Sequence, residues 1–211
     1  VSRRVVGVTL DNLEDLPKHS RSCVYWELAP HLKEQAEEFG TAELEKEAWV
    51  SSVMLEWGSC GRIVYSDKLP VGFVLYAPPT AVPRASAFPT SPPSPDAVLL
   101  TGFYVLPEFR QGGLGRMLVQ AVAKDLTRRG VKAIESFGDA KPDEEVSCVV
   151  PSDFLLSVGF KTVRPHPRWP RLRLELRSAL GWKEDVEAAL ERLLGTVSVS
   201  TASPALQRMN T

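Results

Sequence analysis

Between Val98 and Leu106 the chain is almost continuously apolar, VLLTGFYVL, and rich in β-branched and aromatic residues. That pattern predicts a mostly buried strand. Pro107 has no N–H to give a ladder and should end it. Beyond a glycine-bearing turn the rhythm changes. Leu114, Met117, Leu118, Ala121, Val122 and Leu126 recur at helical spacing, with Arg116, Gln120, Lys124, Thr127 and Arg128 between them. The helix they predict closes at Gly130, a natural C-cap, with Arg128 and Arg129 beside the negative end of its dipole.

The same two rhythms organise the flanks. Arg4 to Leu10 is expected as a first strand, and Asp11 as the N-cap of a short helical turn that Pro17 stops. Ser22 to Leu28 fits a strand or a loop. Two helices should follow, Leu32 to Phe39 and Thr41 to Trp57, divided at Gly40, with Thr41 and Gly58 as caps. Leu44, Ala48, Val53 or Ser51, and Leu55 form the apolar face expected of the second. A hairpin is predicted from Arg62 to Ser66 and Val71 to Ala77. Residues 78–95 carry seven of the 17 prolines and one aromatic, Phe88. They predict an irregular, solvated excursion, with Phe88 available to cover a cleft. A short strand over Val131 to Phe137, a helix from Phe154 capped by Ser152 or Asp153, and a last hairpin complete the pattern. In that hairpin Lys161 to Arg164 pairs with Arg171 to Arg177, whose Leu172, Leu174 and Leu176 alternate inward. The whole is an α+β, three-layer arrangement. Residues 1–180 form its domain, 181–195 an appended amphipathic helix and 196–211 a disordered tail.

Composition narrows the function classes. Net charge is −1 over 211 residues, which gives no footing for nucleic acid or an anionic membrane, and no apolar run reaches the length of a membrane span. Cys23, Cys60 and Cys148 are odd in number and far apart in sequence. They point to a reducing cytoplasm and buried or partly buried thiols. With His19, His31 and His166 dispersed, no metal site is expected.

The turn between strand and helix carries the chemistry. The opening amides of a helix have no partner within it, and the dipole places roughly half a positive charge there. Gly112, Gly113 and Gly115 let an anion approach the backbone, and Arg110 and Arg116 add full charges. A phosphate or diphosphate is the expected guest. No Lys-Ser or Lys-Thr pair follows the glycines, so the turn is not a P-loop. A dinucleotide fingerprint would need glycine where Leu118 stands, although Glu135, 20 residues past Gly115, sits where a ribose-binding acid would.

Arg110-x-x-Gly113-x-Gly115, after a strand ending V-L-P-E-F, resembles the acetyl-CoA signature of the GCN5-related N-acetyltransferases. Phe154 to Phe160, FLLSVGF, about 45 residues on, resembles that family's closing helix and Gly-Phe ending. The similarity spans roughly residues 4 to 177. It implies a mixed, mostly antiparallel central sheet flanked by helices, with the C-terminal helix as an addition that packs back or makes a homodimer contact. It also implies acetyl-CoA as co-substrate and no metal. The diphosphate would lie on Arg110, Gln111, Gly112, Gly113, Leu114, Gly115 and Arg116, with the pantetheine arm along main-chain groups near Tyr104 and Val105.

The implied reaction is direct acetyl transfer to a primary amine, borne by a small molecule or a protein. The helices after the first strand would form the acceptor side, with Cys23, Tyr25, Trp26, Glu27, Glu56, Trp57 and Cys60 as wall candidates. The family's proton-donating tyrosine falls at Leu155, which has no proton to give; Ser157, Tyr104 or water could replace it. Glu135 is the first candidate for general base, ahead of Asp139, Glu27 and Glu56. The other function class is a non-catalytic acyl-CoA-binding sensor or scaffold of the same fold.

Overall fold

The computed structural model describes residues 2–143 and 148–176. The proposed helix at 181–195 and the tail at 196–211 lie outside them. Strands β1 (Arg3–Gly7), β2 (Gly61–Ser66), β3 (Leu69–Ala77), β4 (Ala97–Val105), β5 (Ala133–Asp139), β6 (Val150–Pro151), β7 (Lys161–Arg164) and β8 (Arg171–Glu175) form one sheet. Its order is β1-β2-β3-β4-β5-β8-β7, with the two-residue β6 on β5. All neighbours are antiparallel except β4 with β5 and β5 with β6. Helices α1 (Lys18–Ser22), α2 (Pro30–Glu38), α3 (Ala42–Glu56), α4 (Leu114–Arg128) and α5 (Ser152–Ser157) cover it. The mixed, mostly antiparallel sheet flanked by helices is the expected architecture.

Each face has its own core. On one, Leu114, Leu118, Val122 and Leu126 of α4 and Leu155 of α5 meet Val74, Tyr76, Leu100 and Ile134 of the sheet. The predicted stripe of α4 is the one buried, and Gly130 ends the helix with φ +75°. On the opposite face, Val50 and Val53 of α3 join Trp26, Phe73, Leu75, Leu99 and Phe137.

Three expectations need correction. The buried face of α3 is Ala42, Lys46, Val50 and Val53; Leu44 and Leu55 point outward, at 64% and 84% exposure. The helix is rotated from its apparent apolar face because the Lys46 ammonium is neutralised by buried Glu27, and Trp49 Nε1 anchors to the Ala81 carbonyl at 2.7 Å. The proline-rich stretch is not a solvated excursion. It forms 3₁₀ turns at Pro79–Ala81 and Pro83–Ala87 and buries Val82, Ala85 and Phe88. Phe88 stacks on Trp26 (5.1 Å) and on Phe137 (4.5 Å), which also stack on each other, so it serves the core. Near the N-terminus, β1 stops at Gly7, and the turn at Leu10–Asp15 is capped by Thr9 with Asn12, not by Asp11.

Candidate functional site

The site lies where β4 leaves β5. Their parallel pairing covers only Ala97–Leu99 against Ala133–Glu135. Past Leu99, β4 runs on beside β3 to Val105, and β5 runs on beside β8. A wedge opens between the two central strands. Phe103, Tyr104 and Val105 lie on its β4 side.

A 3₁₀ turn, Pro107–Gly112, carries the chain from the end of β4 to α4. Gly113 makes the reversal with φ +73°, a left-handed conformation that glycine adopts without steric cost. The first intrahelical bond is Met117 N–H to the Gly113 carbonyl, 3.1 Å. The N–H groups of Leu114, Gly115 and Arg116 precede it and are the orphan donors of the helix. Gly112 and Gly113 are exposed, and Cβ atoms there would meet only the tip of Arg3 or nothing. Gly115 serves packing instead: a Cβ would come within 2.7 Å of the Phe154 ring, itself packed 4.4 Å from Phe103.

The cations are arranged differently from the expectation. Arg110 is exposed, with Nε bonded to the Val105 carbonyl at 3.2 Å. Arg116 is also exposed but ties α4 to α5 through the Ser157 carbonyl, 2.8 Å. Arg3, which sequence reasoning missed, joins them: its Nη1 donates to the Gly112 carbonyl at 2.8 Å. No local signal connects residues 109 positions apart.

On the opposite face of the sheet a narrow cavity of about 50 Å³ adjoins the wedge. Phe73, Leu75, Trp26 and Tyr104 give it apolar walls, and His19, Cys23, Glu27, Lys46 and Cys148 supply its polar groups. The His19 ring meets Tyr104 edge-on, with centroids 5.2 Å apart, and Ser20 Oγ lies 3.1 Å from its Nε2. Buried Glu27 uses Oε1 for Lys46, while Oε2 has no partner among the described residues. A fully buried carboxylate oxygen without a hydrogen bond is costly, and it marks a place for a donor.

Of the predicted wall, Cys23, Trp26 and Glu27 line the cavity. Glu56 is exposed, Cys60 is sealed in the core, and Trp57 stacks under Arg129 near the end of α4. Glu135, the first candidate for base, is not a surface carboxylate but part of a buried ion-pair cluster. It is fully buried, with Oε2 held by Arg171 and by Ser94 N–H (3.0 Å) and Oε1 by Arg173 (3.2 Å). These bonds also occupy the acid that a dinucleotide site would have turned toward a ribose. Asp139 is buried and capped by Lys141 N–H. Leu155 sits in the core beneath α4, and the Ser157 hydroxyl donates to the Phe154 carbonyl, 2.7 Å. In the sequence His19 is one of three dispersed histidines. Only the fold brings it to Tyr104.

Among the described residues no helix is long and apolar enough to cross a membrane, and no group of three His, Cys, Asp or Glu could hold a metal ion. The acetyltransferase (GNAT) family model matches residues 23–147. Three solved structures are similar in fold. The PaiA N-acetyltransferase of Thermoplasma acidophilum in complex with coenzyme A is 13% identical over 83% of this chain and 99% of its own, with TM-score 0.55. An N-acetyltransferase from Staphylococcus aureus Mu50 is 11% identical over 83% and 99%, TM-score 0.53. Ard1 from Thermoplasma volcanium is 12% identical over 83% and 98%, TM-score 0.51. Among curated proteins, none matches the sequence.

Proposed function

The chain belongs to the GNAT acetyltransferase family, and from that premise we propose that it moves an acetyl group from acetyl-CoA directly to a primary amine. One observation carries the reading: the wedge at the end of β4 has the orphan amides of α4 on one side and the Glu27 cavity on the other. A thioester lying in the wedge meets an amine coming up from the cavity.

The diphosphate rests on the N–H groups of Gln111 to Arg116, with Arg110, Arg116 and Arg3 around it. Gly112 and Gly113 give access, and Gly115 lets α4 sit close to α5. The pantetheine arm follows main-chain groups at Tyr104 and Val105. An N–H there faces the thioester oxygen as charge develops on it. The cavity admits the slender tip of an unbranched amine. Glu27 Oε2 takes one of its hydrogens. His19, exposed at the mouth beside Tyr104, accepts the proton the amine must lose. Holding both reactants in one wedge supplies much of the rate. The CoA thiolate leaves without a tyrosine, as thiols are already fairly acidic.

The test is loss of thioester absorbance from acetyl-CoA with a panel of primary amines. Turnover with at least one amine supports the transferase. CoA binding without turnover on any of them would favour the non-catalytic binder, which buried Leu155 at the tyrosine position makes the second reading.

A further inference from the structure

Two of the three thiols meet in this cavity. Cys23 lies in the turn after α1 and Cys148 just before β6, 125 positions later, yet their Sγ atoms are 2.6 Å apart and share a hydrogen. Both are partly exposed. The contact is held from each side: Trp26 Nε1 donates to the Cys148 carbonyl at 2.8 Å, and Trp26 is itself stacked on Phe88. Cys60 is sealed in the core.

We propose that Cys23 and Cys148 are a redox-active dithiol, a modification site in the cavity wall that low-molecular-weight disulfides oxidise to an intramolecular disulfide. The geometry supplies an attacking thiol and a resolving thiol already in contact. The hydrogen bond from Cys148 outweighs burial and lowers the Cys23 thiol to about 7, aided by Lys46 and opposed by Glu27. The same bond and burial push Cys148 up, and burial raises Cys60 to about 11. Thiolate is the attacking species, so Cys23 moves first.

Cys23 loses its proton to solvent and its thiolate attacks one sulfur of the small disulfide. That S–S bond breaks and one small thiolate leaves. Cys148 then gives up its proton and attacks the Cys23 sulfur, expelling the second small thiolate. The protein loses two electrons and two protons, and the small disulfide gains both as two thiols. The new bond ties the 21–28 turn to the segment before β6 across the cavity. The exchange chemistry stands without the transferase reading. Only its effect on an acceptor rests on that reading.

The experiment treats the reduced full chain with oxidised glutathione, then unfolds it, alkylates it and weighs it intact and as peptides. The expected product lacks two hydrogens, takes one alkyl group, on Cys60, and yields a peptide joining Cys23 to Cys148; dithiothreitol restores three alkylation sites. In Cys148→Ser the reaction should stop at a glutathione adduct on Cys23. Three alkyl groups after treatment, a lasting adduct in the wild type, or a bridge to Cys60 would each overturn the proposal. The wild-type masses decide the matter even if the variant does not fold. Failure of acetyl transfer would leave them unchanged.

Discussion

Replacing Glu135 by Gln separates a structural carboxylate from a catalytic one. Its carboxylate joins three parts of the fold: Arg171 and Arg173 from β8, Ser94 from the proline-rich segment, and its own strand β5. Arg171 also donates to the Thr90 carbonyl at 2.9 Å, so the ion pair pins that segment to the sheet. Removing one partner of a buried pair costs roughly 3–5 kcal/mol, because the other charge is left unmatched in the interior. Arg173 keeps Asp96 through two bonds of 2.9 Å, which places the loss toward the lower end. At roughly 2–4 °C per kcal/mol for a domain of this size, the melting midpoint should fall by about 6–12 °C. Turnover measured well below that midpoint should stay near wild type. A variant that melts like wild type and loses about a hundredfold or more in kcat would refute the assignment and restore Glu135 as base. The pH profile offers a second check. Burial works to raise Glu135, but Ser94 and Arg171 hold it below the usual carboxylate range; Arg173 does the same for Asp96. With folded values depressed, their stabilisation is complete above the ordinary carboxylate range, near pH 4, and is lost as pH falls through the folded values. The melting midpoint should therefore drop below about pH 4, and E135Q should flatten that drop.

Gly115→Ala should destabilise by about 1–3 kcal/mol, seen as a lower urea midpoint, because its methyl has no room beside Phe154. An unchanged midpoint would mean that ring is free to move. His19→Gln should lower kcat by roughly 10²–10⁴ while leaving CoA affinity alone. A change of only a few-fold would remove His19 from the proton path.

The strand–turn–helix was legible because each of its signals is local: a buried apolar run, Pro107, three glycines, and one stripe from Leu114 to Leu126. The misread parts depend on partners distant in sequence. Lys46 looks like a surface residue until Glu27 neutralises it, so the sequence pattern alone points the apolar side of α3 toward Leu44 and Leu55 as well as Val53. Phe88 needs Trp26 and Phe137 to become core, and proline content alone says nothing of that. Glu135 has the spacing of a functional acid but stands opposite Arg173 in the β5–β8 register. Cys23 and Cys148, separated in sequence, are neighbours only once the N-terminal turn packs against the sheet.

Titration of CoA in a calorimeter, on wild type and on Gly112→Glu, tests the glycine turn most directly. The new side chain has only the flexible tip of Arg3 beside it, so the variant should fold. A carboxylate about 4 Å from a phosphate costs roughly 1–4 kcal/mol per charge pair across the range from water to protein surface. The account predicts heat of binding in the wild type and at least a tenfold loss in a variant with an unchanged melt. No heat in the wild type, or equal affinity in both, would contradict it.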